Sequence, residues 1–97
     1  MDVLLDMMVE IRNWSFKDLS NFLKDYGFLC GHIKGSHHYY NGVIKGEGKV
    51  VQAILSKKEK GSQSLRTMKM AIENSGIPKE YFDEWKDKDI VHEEIIH

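Results

Sequence analysis

Cysteine is nearly absent from this 97-residue chain. The one present, Cys30, excludes an internal disulfide and cannot build a thiolate metal cluster. Its place in an apolar run predicts a small buried side chain rather than a nucleophile. Long apolar runs are missing too, and no stretch of the sequence is long enough to span a bilayer. The first residues, Met1-Asp2-Val3-Leu4-Leu5-Asp6, carry acids where an export signal needs a basic region. The expectation is a cytoplasmic protein. Net charge is scarce as well, at −1, so no global basicity announces nucleic acid. Gly42, Gly46 and Gly48 precede a strand rather than a helix, which excludes a phosphate-cradling glycine loop. There is no internal repeat and no low-complexity linker.

What is there is an ordinary globular composition, 41% hydrophobic and 30% charged. The length predicts one domain over residues 1–97 with one modest core. Charge is unevenly spread. Between Lys45 and Lys69 the only acids are Glu47 and Glu59, whereas the chain from Glu73 onward is acidic. A basic middle segment suits phosphates. An unevenly charged solvated surface accounts for it equally well.

Apolar spacing places the elements. Leu4, Met7, Met8 and Ile11 line one side of a helix over residues 1–12, with Asp2, Asp6 and Glu10 on another. A second helix runs over residues 15–26. Ser15 caps it, Asp18 completes a capping box, Trp14 staples onto Leu19, and Gly27 ends it, with Phe28 covering Leu23. Residues 28–33 read as a strand, Gly35 as a corner, 36–44 as a second strand and 49–55 as a third. Asn41-Gly42 and Gly46-Glu47-Gly48 compete for the second turn. The latter gives better matched strands and leaves Asn41-Gly42 as a bulge. Val50 to Leu55 is apolar enough for a central or well-covered strand. A polar loop over 56–64 leads to a helix capped by Ser62 or Ser64, striped by Leu65, Met68, Ala71 and Ile72, and stopped by Gly76. Pro78 opens a short last helix packed by Tyr81, Phe82 and Trp85. Residues 86–97 form an acidic extension, either a frayed tail or a segment that docks on a partner. The order implies α+β, with a three-stranded antiparallel sheet covered by helices on one face and open on the other.

The chemistry concentrates in Lys34-Gly35-Ser36-His37-His38-Tyr39-Tyr40. Strand alternation puts His37 and Tyr39 on one face and His38 and Tyr40 on the other. A histidine on a rigid strand beside a glycine corner suits proton transfer near neutral pH, and an ordinary strand histidine is the plainer alternative. His32, His37 and His38 have no carboxylate or thiolate beside them in the sequence, which argues against zinc. Ser36 and His37 are adjacent and point to opposite faces, a poor geometry for a Ser-His pair. Histidine, tyrosine and lysines without a metal suit cleavage of RNA by its own 2′-hydroxyl.

Phe16-Lys17-Asp18-Leu19, Phe22-Leu23, Tyr26-Gly27-Phe28 and above all the segment from Lys34 to Tyr40 resemble the HicA (YcfA-like) toxin family, over roughly residues 15–77. The resemblance implies a fold like that of double-stranded RNA-binding domains. It implies a metal-independent endoribonuclease of a toxin–antitoxin pair that cleaves mRNA without a cofactor. Its partner would be a HicB-like antitoxin protein. His37, in Gly-Ser-His, takes the place of the catalytic histidine. Lys34, Gly35, Ser36, Tyr39, Lys57, Lys58 and Lys60 are the expected RNA contacts. The chain departs from the family at Asn41-Gly42, where members often carry His-Pro, and at His32, where they often carry arginine. A non-catalytic RNA-binding module and a protein-interaction domain acting through the acidic tail are the other readings.

Overall fold

Ser15 and Asp18 set the start of the first described helix. The Ser15 hydroxyl accepts from the Asp18 amide at 3.0 Å, and the Asp18 carboxylate accepts from the Ser15 amide at 3.1 Å. Such a cap contributes about 1 kcal/mol. This helix, α1, spans Phe16–Asp25. The structure is a computed structural model that describes residues 13–54 and 62–96. The helix expected at residues 1–12 and most of the lysine-rich loop lie outside them. Gly27 ends α1 in the left-handed region at φ 86°. The amides of Phe28 and Gly27 bond back to the carbonyls of Leu23 and Lys24 at 2.8 and 2.9 Å, the pairing of a Schellman stop.

Three antiparallel strands follow in sheet order β1-β2-β3: Leu29–Lys34, His37–Ile44 and Glu47–Ile54. Both connections are two-residue hairpin turns. At Gly35-Ser36 only the glycine has positive φ, 60°, as a type II′ turn requires. At Lys45-Gly46 both residues do, at 53° and 86°, as in type I′. That turn lies one residue before the one expected, so β3 starts at Glu47 rather than Lys49. The bulge also falls elsewhere. The pairing of β2 with β3 is regular through Asn41 and Gly42, and the irregularity is in β1, between Cys30 and His32. Gly31 is the extra residue. A Cβ there would meet the Asn41 amide at 2.5 Å, so a larger residue would have to push that side chain aside.

The central strand is β2, not the more apolar β3. Tyr40, Ile44, Val51 and Ala53 are buried with Leu19, Phe22, Leu23 and Tyr26 of α1. Two further helices join this core. α2, Leu65–Ser75, is capped by Ser64, whose hydroxyl accepts from the Thr67 amide at 3.0 Å, and stops at Gly76. α3, Lys79–Lys88, is longer than the short helix expected. It buries Phe82, and Tyr81 and Trp85 pack against the core. Trp14 is buried too, edge-on to Phe22 and stacked on Trp85.

One expectation for β1 fails. Its apolar residues, Cys30 among them, are exposed along the whole strand, with Leu29 at 72% and Ile33 at 57%. β1 is an edge strand, and the helices gather over β2 and β3 instead. The acidic extension is not frayed, and what it docks on is its own chain rather than a partner. Ile95 is buried, its carbonyl accepts from the Lys45 amide at 2.9 Å, and Ile96 bridges to Ile44. β1 pairs with β2 only as far as Asn41, and the tail fills the place beyond it. No described helix is long and apolar enough to cross a membrane.

Candidate functional site on the open sheet face

The type II′ turn fixes the register around the Lys34 to Tyr40 segment. Lys34 pairs with His37, Ile33 with His38 and His32 with Tyr39. Paired residues share a face, and residues two apart on a strand share it as well. Tyr40 and Ile44 are buried under the helices, so His38 belongs to the covered face. His37 and Tyr39 belong to the open one. His38 meets Phe16 of α1 edge-on, with ring centroids 4.8 Å apart. His37 has no such packing partner on the helix side.

His32, Lys34, His37 and Tyr39 thus form the four corners of one patch. The rings of His32 and Tyr39 lie 5.4 Å apart. His32 and Lys34 are exposed, and His37 and Tyr39 half-buried. The three strands carry one acid, Glu47, which pairs with Ile44 on the covered side and bonds Lys49 at 3.2 Å. The strands therefore place one ammonium, Lys34, two imidazoles and a phenol on the open face and no carboxylate. That set favours an anion. The Gly35 backbone adopts the turn that brings Lys34 opposite His37, and Ser36 completes it. Nothing lies within 4 Å of a Cβ at Gly35, so the glycine serves the backbone angle and not a close approach.

Of the residues expected at the site, Lys34, Gly35, Ser36, His37 and Tyr39 stand together at one end of the sheet. Lys57, Lys58 and Lys60 lie outside the described residues. Among the described residues, no three His, Cys, Asp or Glu side chains converge as metal ligands would. Sequence reasoning set His32 aside as a metal candidate on another strand. The signal that places it was available: counting back from a two-residue turn at Gly35-Ser36 aligns His32 with Tyr39.

The far end of the same face is different. Leu29, Asn41, Val43, Gly48, Lys49 and Val50 border an open groove of about 460 Å³, which Gly27 and Ile96 also line. Gly42 forms its floor, with the Phe28 ring behind it. At the β3 margin, Gln52 meets Thr67, Met70 and Asn74 of α2 around a small hollow. The open face is thus polar and basic at the His37 end and apolar at the other.

Compared with family models, with curated proteins and with solved structures, the chain gives no match. The geometry of the open face and the sequence motif therefore carry the functional reading.

Proposed function

We propose that this protein is a HicA-like toxin, a metal-independent endoribonuclease that cleaves mRNA in the cytoplasm. The observation that supports it most is the shared exposed face of His37, Lys34 and Tyr39, with no carboxylate among the strand residues there. A phosphodiester needs cationic contacts and a proton-transfer group, and RNA supplies its own nucleophile in the 2′-hydroxyl. In this reading His37 is the general base or acid, Lys34 meets the phosphate, and Tyr39 stacks a base or places the phosphate. Lys57, Lys58 and Lys60 add phosphate contacts from the loop. The fold would be that of a double-stranded RNA-binding domain, in which an open face turned to single-stranded mRNA does the chemistry.

Such an enzyme harms its own cell unless it is blocked. A HicB-like antitoxin would cover the open face and occlude His37, helped in its approach by the basic middle segment. Amide exchange that stays unprotected over residues 36–40 on antitoxin binding would count against this.

The decisive variant is His37→Ala. Phosphate contacts supply affinity whatever the base, so RNA binding should persist. Cleavage and growth arrest should fall by about 10²–10⁴, roughly 3–5 kcal/mol of barrier. Circular dichroism should show the fold unchanged. Cleavage assays without added metal read the result. Equal cleavage by wild type and variant would remove His37 from the chemistry, and RNA binding without cleavage by wild type would leave a non-catalytic RNA-binding module of the same architecture.

A further inference from the structure

Cleavage by a 2′-hydroxyl needs two proton transfers. One removes the proton from the nucleophile, and the other supplies a proton to the departing 5′-oxygen. The attacking and leaving oxygens stand roughly in line on opposite sides of the phosphorus. One histidine on one side of the phosphate cannot serve both at the same moment. A second group is needed across the phosphate from His37, on the same face and open to substrate.

The sheet offers one. His32 pairs with Tyr39, two residues along β2 from His37, so the two histidines are diagonal neighbours across β1 and β2. Diagonal neighbours on one face lie roughly 7–8 Å apart, and long side chains reach across that span. Lys34 and Tyr39 occupy the other two corners. A phosphate seated between the corners has an imidazole on each side and the Lys34 ammonium at its edge. His38 cannot take this part, because it packs on Phe16 under the sheet. His32 is exposed, and among the described residues its ring meets that of Tyr39 in the same patch. Histidine is also the residue type that gains and loses a proton near neutrality.

We infer that His32 is the second catalytic histidine, acting with His37 as an acid–base pair on an RNA phosphodiester. This rests on the ribonuclease reading above. One imidazole takes the 2′-hydroxyl proton while O2′ bonds to phosphorus. The bond from phosphorus to O5′ breaks, and the other, protonated imidazole gives its proton to O5′. The products are a 2′,3′-cyclic phosphate and a 5′-hydroxyl. Water then carries the proton from the first imidazolium back to the second, and the pair is restored. Lys34 bears against the charge on the non-bridging oxygens throughout.

The test begins by mapping a bond that the wild-type protein cleaves in an RNA oligonucleotide. The oligonucleotide is then made with oxygen or with sulfur as the 5′ bridging atom at that bond. A thiolate leaves with little need of a proton. Wild type, His32→Ala, His32→Asn and His37→Ala are compared for rate, pH profile and RNA affinity. The expected result is a bell-shaped profile for wild type. Both His32 variants should cleave the oxygen substrate about 10²–10⁴-fold more slowly, lose one limb of the bell and keep their RNA affinity. On the sulfur substrate, the variant lacking the acid should recover and the variant lacking the base should not. A His32→Ala protein that cleaves at the wild-type rate overturns the inference. So does one that loses affinity in step with rate and keeps both limbs, since His32 is then an RNA contact only. In either case an inactive His37→Ala leaves the ribonuclease reading standing. A wild-type protein that cleaves no RNA removes both.

Discussion

The covered face of the sheet and its open face are made of alternate residues of the same three strands. On the covered face Tyr40 and Ile44 of β2 are buried in the core, Gly42 gives its missing side chain's space to Phe28, and His38 rests on Phe16. On the open face His37, Tyr39, Asn41 and Val43 project away from the helices. Burial fixes the first set: a change there disturbs packing that many residues share. The second set is free of that constraint and is available for chemistry. Adjacent histidines therefore carry different burdens, and a substitution at each should separate stability from activity.

The largest effect on stability among single small changes is expected at Gly42. A Cβ there would lie 2.4–2.6 Å from three atoms of the Phe28 ring, which is fully buried. Gly42→Ala must displace that ring or bend β2, and overpacking of this kind costs roughly 1–3 kcal/mol. In a domain of this size each kcal/mol lowers the melting temperature by about 4–8 °C. A thermal melt reads it, and a variant as stable as wild type would mean that Phe28 has room to move. RNA contacts at the His37 end should survive in whatever fraction is folded.

Tyr40→Phe should follow, with a similar or smaller loss. The Tyr40 and Ser20 hydroxyls are 2.6 Å apart and both are buried. Removing one leaves Ser20 without that partner, which typically costs about 1–3 kcal/mol. Tyr39→Phe, on the open face, removes a hydroxyl with no such buried partner and should change stability far less. Equal losses in denaturant titrations of the two variants would contradict the contrast between faces.

His38→Ala comes next. It removes an edge-on contact with Phe16, and aromatic pairs of this kind are worth about 0.5–1.5 kcal/mol beyond their burial. The expectation is a measurable fall in melting temperature with catalytic rate retained by the folded protein, the opposite of His37→Ala. A His38→Ala protein that is stable and inactive would reverse the assignment of the two histidines.

Much of this contrast was legible in the residues. The capping box at Ser15 and the glycine stops at Gly27 and Gly76 are local signals, set by backbone groups a few residues apart, and they predict α1 and α2 well. Alternation places His37 with Tyr39 because a strand has a fixed period. What failed depends on neighbours distant in sequence. Cys30 read as buried because it sits in an apolar run, yet the helices cover β2 and β3 and leave β1 at the edge. The second turn was misplaced by one residue because Lys45 adopts positive φ, which its side chain does not advertise. Gly31, not Gly42, carries the bulge, and the reason is the Asn41 side chain lying across it. The docking of the tail rests on Ile95 and Ile96 meeting β2 some fifty residues away in sequence, a pairing that composition alone leaves open between docking and fraying. At the site, the residue missed was His32, whose place follows only once the turn at Gly35 is fixed.

The smallest expected effect concerns that tail. His92 stacks on Tyr81, with ring centroids 3.8 Å apart, and its amide donates to the Tyr26 hydroxyl at 2.8 Å. Its ring bonds Glu84 of α3 through Nε2 and faces Glu94 through Nδ1 at 3.4 Å. The bond to Glu84 is the main reason that the pKa of His92 is raised above the ordinary histidine value; burial opposes it, and the charges of Glu84 and Glu94 add to it. A raised value in the folded state means that protonation favours folding. The contribution is complete below the unfolded histidine value of about 6.5 and is lost as pH rises through the higher folded value. The charged ring holds residues 92–96 to α3, and those residues carry Ile95 into the core and Ile96 to the rim of the apolar groove. Wild type should therefore exceed His92→Gln in melting temperature at pH 6, and the gap should narrow at pH 8.5. Amide exchange at Lys45, whose N–H bonds the Ile95 carbonyl, should quicken over the same range beyond the intrinsic rise with pH. A gap that is the same at both pH values would show that stacking on Tyr81, and not the charge shared with Glu84 and Glu94, holds the tail in place.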